Sequence, residues 1–362
     1  MPIANNSNNS NNSNNSNNSN NSNNSNNSNN SNNSNNSGEH AHAGQVSSLL
    51  LTSALDMAAV NLRGQGDFDT RPVAPVDRTR ALRALNPRHR NALLMAELME
   101  GLSVTGPAGG PVTVRHDGTD LLTLSLTIAP GQQEDFWKTQ TQMVFDAKWH
   151  REERLQEIFL QQSDILSFFG LAVPLSATTH PWTLDLVGAV LQAVFQVEAQ
   201  IKDRFSVARP VRRSARVNPV IQTPAHSSFP AGHATESFAA ATLLGYLYFQ
   251  DTQVELREIA KRITENRTFA GVHYPIDNFA GARIGETLAL HFLTRLFSGA
   301  SAAVTALAYT EADAGIGLAA LENHAFGHQP DYSGIQPAPA GSDAVRHFYL
   351  AEALAEITGQ SV

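Results

Sequence analysis

Cysteine is absent from the 362-residue chain, which excludes disulfides, zinc–thiolate sites and thiol nucleophiles while saying nothing about compartment. Charge is scarce: Asp, Glu, Lys and Arg make up 16% of the residues, against a usual level of about 25%. The net charge of -8 argues against nucleic acid as a partner, because phosphate binding needs a basic face, although a local basic pocket is compatible with it. Long apolar runs are missing too. The stretch 238–249 falls short of the ~20 residues that cross a bilayer, so no membrane span is expected and the protein reads as soluble. The start, MPIANNS, lacks the basic-then-apolar order of a secretory signal, which favours a cytoplasmic over a secreted location. No H-E-x-x-H, G-x-S-x-G, Walker loop or G-x-G-x-x-G motif occurs.

What fills the first tenth of the chain is equally telling. From Asn5 to Ser37 the triplet Asn-Asn-Ser repeats eleven times without an apolar side chain. Such a tract cannot bury enough surface to offset its ordering entropy. Residues 1–45 are therefore expected to be a disordered Asn/Ser-rich tail, and 46–362 a single α-helical catalytic domain, with homo-oligomerisation left open. Asn-Asn-Ser also matches the glycosylation acceptor, which matters only in a secreted eukaryotic chain.

Apolar spacing predicts helices over 46–62 and 87–100, the second opening on Pro87, and a polar loop over 67–80. Alternation in 112–114 and 122–128 around Asp117-Gly118 predicts one peripheral β-hairpin. Further helices are predicted over 134–147, 151–169, 181–205, 233–249, 254–267, 275–297 and 343–357, with a loop over 326–342. Strands do not alternate with helices, which excludes a parallel α/β sheet. The expected fold class is all-α, a helical bundle with one peripheral hairpin.

Three segments carry chemistry. Lys202 lies near the end of an apolar helix and Arg209 follows seven residues later, before Pro210, so two cations can converge on one anion. In Phe229-Pro-Ala-Gly232-His233, glycine admits close backbone approach, and the helix that follows offers unpaired N–H groups to an anion. His233 at that mouth can give or take a proton. In the third, Arg267 supplies a fork suited to oxyanions. Asp277, four residues after His273, can hold one ring nitrogen and leave the other free as nucleophile or ligand. His324 and His328 have the spacing of a helix face, but Gly327 and Pro330 point to a loop.

In this order, the segments resemble the signature K-x6-R-P, P-S-G-H and S-R-x5-H-x3-D. It is shared by vanadium-dependent haloperoxidases, type 2 phosphatidic acid phosphatases and bacterial acid phosphatases. The resemblance implies a pocket for a tetrahedral oxyanion held by Lys202, Arg209, Arg267 and the Gly232 N–H. In a haloperoxidase it holds vanadate with His273 as axial ligand, and hydrogen peroxide oxidises a halide. In a phosphatase His273 attacks phosphorus, His233 protonates the leaving group and Asp277 orients His273. Two positions depart from the pattern: Ala231 replaces the second-motif serine and Asn266 the third-motif serine.

His226, Gly281 and Gly285-Glu286-Thr287 resemble the bromoperoxidase continuation, and the long helical stretch ahead of Lys202 exceeds that of small acid phosphatases. The five methionines and absent cysteine suit an enzyme that releases hypohalous acid. The expected function is a vanadate-dependent haloperoxidase acting on bromide or iodide, with vanadate as cofactor. A soluble acid phosphatase acting on a phosphate ester is the alternative, and a degenerate oxyanion-binding protein the second alternative.

Overall fold

Helix starts follow the capping chemistry of the sequence. In the computed structural model, the described residues are 53–55, 57–58, 74–299 and 304–359. The chain divides into two units, Met1–Pro75 and Val76–Val362, and the elements below belong to the second. Asp77 accepts from the Arg80 N–H at 3.1 Å to open α1 (Arg78–Ala84), and Asn86 accepts from the Arg88 N–H at 2.9 Å ahead of Pro87 to open α2 (Pro87–Met99). The expected loop over 67–80 thus turns helical at its end. The expected helix over 46–62 lies outside the described residues, apart from 53–55 and 57–58, which are helical.

The hairpin forms as expected from β2 (Val112–His116) and β3 (Thr119–Leu126), with His116 opposite Thr119. Asp117 and Gly118 both take positive φ, 47° and 79°, as a two-residue hairpin turn requires. It is part of more sheet than predicted. Strand β1 (Leu102–Thr105) pairs antiparallel with β2, and β5 (Thr305–Tyr309) pairs parallel with β3, giving the order β1-β2-β3-β5. A second pair joins β4 (Ser298–Gly299) to β6 (Ile335–Gln336). The architecture is mainly helical with a four-stranded sheet, not all-α with a lone hairpin.

The remaining helices are α3 (Gln133–Ala147), α4 (Leu155–Leu160), α5 (Leu166–Phe169), α6 (Pro181–Asp203), α7 (Pro210–Arg213), α8 (Gly232–Phe249), α9 (Val254–Phe269), α10 (Pro275–Leu296), α11 (Leu318–Gly327) and α12 (Val345–Thr358). The helix predicted over 151–169 is broken into a 3-10 turn, α4 and α5. Helix α11, which enters the predicted loop over 326–342, was not anticipated. Helix α8 is apolar on every side, and α6, α9 and α10 pack around it, the arrangement such a helix needs. It crosses α10 with the two backbones in close approach. A Cβ on Gly281 would lie 2.5 Å from the Ala231 carbonyl oxygen, and one on Gly285 2.0 Å from that of Thr235. These glycines let two backbones touch, which by itself accounts for small residues at both positions.

Among the described residues one helix, α6, is long and apolar enough to cross a membrane by length and composition, with 56% of its apolar window buried. It packs against α8 and α12, and its C-terminal turn delivers Lys202.

Candidate active site

Helix α6 ends at Asp203, so Lys202 and Arg209 converge through a loop rather than along one helix. Lys202 is buried, with its Nζ 2.8 Å from Glu198 Oε1 one turn earlier. Arg209, also buried, donates from Nη1 to the Val272 carbonyl at 2.8 Å and to His273 Nε2 at 2.9 Å. Its Nε reaches the His226 carbonyl at 3.3 Å, and its Nη2 lies 3.3 Å from His226 Nδ1. His226 is exposed and sits at the edge of the site.

Gly232 begins α8 behind the N-cap Ala231, which has no side chain to satisfy the helix start. A Cβ at Gly232 would lie 3.6 Å from Glu198 Oε1, so this helix end faces the Glu198–Lys202 pair. The Ala231 N–H donates to the Asp277 carbonyl at 3.0 Å, tying the second segment to the third. His233 Nε2 donates to the Gln161 carbonyl at 2.7 Å, one of the carbonyls left open where α4 ends. That bond places the proton on Nε2 and leaves Nδ1 as the acceptor. Burial, then the Arg267 charge, push His233 down to about 3.

Arg267 is 1% exposed at the end of α9. Its Nη2 donates to the Ile158 carbonyl at 3.3 Å and to Gln161 Oε1 at 3.1 Å, while Nε and Nη1 are buried with no hydrogen-bond partner. Unmatched buried donors on a guanidinium are costly, and a small oxyanion is the natural complement. Burial lowers Arg267 to about 10, so it remains a cation at neutral pH. Asn266 faces away from this role: its Nδ2 donates to Glu157 Oε2 at 3.1 Å and Gln161 Oε1 at 3.0 Å.

His273 precedes α10, where Tyr274 is the N-cap and Asp277 the third residue of a capping box. Asp277 Oδ2 accepts from the Tyr274 N–H at 3.0 Å, from Ser228 Oγ at 2.5 Å and from His273 Nδ1 at 3.2 Å. The His–Asp contact thus forms at the helix start, with Pro275 as its first residue. Arginine can only donate, so Nε2 of His273 is an acceptor and its proton sits on Nδ1. Burial, with Arg209 and Lys202, holds His273 well below the usual imidazole range. Burial raises Asp277 to about 6 against the pull of Ser228, the Tyr274 N–H and Arg209.

The three cations act on both imidazoles, so the residues expected to meet do meet. Sequence reasoning missed four others. Glu198 was detectable, lying one turn before Lys202 on the same helix face. Glu236, one turn into α8, is raised to about 7 by burial and by Glu198. Gln161 and Ser228 carry no sequence signal. His324 and His328 pair with Glu286 at 2.8 and 3.3 Å, and among the described residues no cluster of three or more His, Cys, Asp or Glu side chains is placed to hold a metal ion.

Decaprenylphosphoryl-5-phosphoribose phosphatases of two Mycobacterium tuberculosis strains, CDC 1551 / Oshkosh and ATCC 25618 / H37Rv, are each 32% identical to this chain over 124 residues. The match covers 34% of this chain and 66% of the length of those relatives. Those relatives are named as phosphatases, and the chain spans less than two thirds of their length. Residues 182–300 match the family model of the PAP2 superfamily, and that interval contains Lys202, Arg209, His226, Gly232, His233, Arg267, His273 and Asp277.

Proposed function

We propose that the protein is a phosphatase that hydrolyses phosphate monoesters through a phosphohistidine at His273. The observation that carries this reading is the state of His273: neutral, proton on Nδ1 toward Asp277, lone pair on Nε2 among three cations. Lys202, Arg209, Arg267 and the Gly232 N–H neutralise the phosphoryl oxygens, with the free Nε and Nη1 of Arg267 finding acceptors there. Arg209 Nη1, which covers the lone pair in the free pocket, transfers to a phosphoryl oxygen. The Nε2–phosphorus bond then forms as the ester oxygen leaves, and Asp277 stabilises the resulting imidazolium.

On binding substrate His233 takes up a proton at Nδ1, opposite its Nε2 bond to Gln161; it gives that proton to the leaving alkoxide and later takes one at Nδ1 from the water that cleaves the phosphohistidine. A bound dianion offsets the cations that depress His233 and so raises its proton affinity when the proton is needed. Ala231 removes one hydroxyl donor, a loss of about 1.5–3 kcal/mol for a hydrogen bond to a charged group.

Vanadate is tetrahedral as well, and Lys202, Arg209, Arg267 and the Gly232 N–H would hold it beside His273. On this reading it acts as an inhibitor. The relatives' name describes a phosphate on a sugar joined to a polyprenyl chain, so a phosphate ester on a larger organic group is the substrate class to try first. The test is release of phosphate from a simple aryl phosphate, with an acid-labile phosphoryl group trapped on His273. Absent phosphate release, together with vanadate-dependent bromination by hydrogen peroxide, would restore the haloperoxidase.

A further inference from the structure

Across Tyr274 from His273 lies a basic groove that the reaction does not use. It encloses about 670 Å³ and is lined by Lys138, Arg212, Arg213 and Arg216 over Trp137 and Phe145, with Glu134 as its one acidic neighbour. That volume falls within the range of small-molecule sites. All four cations are exposed, and among the described residues none of them forms an ion pair with a carboxylate. In a chain of net charge -8, four cations without a carboxylate partner around one concavity are a local inversion of sign.

The cations are also arranged. The Arg213 guanidinium lies 4.7 Å from the Trp137 ring centroid and that of Arg216 4.9 Å from Phe145. Arg213 also hydrogen-bonds the Tyr274 side chain, and stacking of this kind restrains a guanidinium while leaving the rest of its N–H edge open to an acceptor. Trp137 is itself buried and packs on Tyr274 with ring centroids 5.0 Å apart, so the floor of the groove is anchored beside the nucleophile's neighbour.

We propose that this groove is a second anion site, separate from the catalytic pocket, that binds ligands carrying more than one phosphate group. Paired arginine forks recognise phosphate oxygens by geometry as well as charge, and their spread over several side chains favours a polyphosphate or a phosphorylated headgroup over a single small ion. The site does not depend on the hydrolytic reading, since its residues lie outside the Lys202–Arg209–Arg267 cluster.

The test titrates the full chain with tripolyphosphate while orthovanadate saturates the catalytic pocket, following Trp137 fluorescence and heat. A parallel arm measures sedimentation with vesicles containing cardiolipin, whose headgroup carries two phosphates, against phosphatidylcholine vesicles. The proposal expects saturable binding that weakens at least tenfold in an Arg212→Ala/Arg216→Ala double variant with an unchanged melting temperature. It also expects binding to persist in His273→Ala. Binding of tripolyphosphate supports a soluble ligand. Binding of cardiolipin vesicles alone, lost in the double variant, supports a lipid headgroup as the source of the phosphates. No binding in either arm, or binding that the double variant leaves unchanged, overturns the site.

Discussion

Arg209 Nη1 sits 2.9 Å from His273 Nε2 and donates to the lone pair that must attack phosphorus. The same guanidinium therefore protects the nucleophile in the free pocket and neutralises substrate in the filled one. Arg209→Ala should lower kcat a hundredfold to a thousandfold, about 2.7–4 kcal/mol, the usual effect of deleting one donor to developing charge. Arg209→Lys should recover only part of this, because a point charge cannot hold His273, Val272 and substrate together. Steady-state rates with an aryl phosphate decide it, and full activity of the lysine variant would show that the fork is dispensable.

Asp277 sets the acid side of the pH profile. Its carboxyl is raised to about 6, so it is neutral below that pH and ionised above it. Only the ionised form stabilises imidazolium at His273. The kcat/KM of the free enzyme should therefore fall as pH drops through about 6. His273 itself stays neutral over that range because its own proton affinity is held low. Asp277→Asn should remove this limb and lower the plateau, on the order of 10⁴-fold if the wrong tautomer is selected. A limb that survives in Asp277→Asn belongs to another group.

Ala231 is one of the two positions where a serine that the resemblance leads one to expect is replaced. It is fully buried at the N-cap of α8, with no side-chain bond to the helix start. Ala231→Ser should tighten inhibition by vanadate and phosphate about tenfold to a hundredfold, the equivalent of 1.5–3 kcal/mol. As an N-cap, serine should also add about 0.5–2 kcal/mol of stability. Inhibition constants and melting temperatures measured side by side separate the two effects, and weaker inhibition in the serine variant would mean that its hydroxyl crowds the anion.

Much of the site was legible because each motif is a short local segment whose chemistry does not depend on knowing the fold. Lys202, Arg209, Gly232, His233, Arg267, His273 and Asp277 come together in the fold, Lys202 and Arg209 through a loop rather than along one helix. The parts that were not legible are non-local. Strand β5 joins β3 from far along the chain, and no periodicity in either segment announces a partner. Gln161 escaped notice because its backbone carbonyl serves His233 while its side chain serves Arg267 and Asn266. A carbonyl is the same in every residue, so sequence cannot mark it. The break after α4 that frees this carbonyl is likewise a tertiary effect within what reads as one continuous helix.

Gly285 tests whether the helix crossing positions the chemistry. A Cβ there would meet the Thr235 backbone at 2.0 Å, and backbone cannot step aside as a side chain does. Gly285→Ala should destabilise the fold by about 1–3 kcal/mol, as overpacking does. It should also lower activity by moving α8 against α10, the helices that carry His233 and Asp277. Thermal melts and kcat should fall together, and a folded, fully active variant would mean that the crossing has slack.

Glu198 places a negative charge inside a pocket built for anions, 2.8 Å from Lys202 and against the Gly232 helix start. In the free protein this carboxylate compensates a lysine that would otherwise be buried alone. When substrate arrives, Lys202 has two anions to serve, and Glu198 repels the incoming one. Glu198→Gln should therefore move stability and affinity in opposite directions. Removing one partner of a buried pair costs about 3–5 kcal/mol, so the melting temperature should drop. With the competing charge gone, phosphate and vanadate should inhibit at lower concentration, and saturating phosphate should recover more stability in the variant than in the parent. If both quantities fell together, Glu198 would be holding Lys202 in place for the anion rather than competing with it.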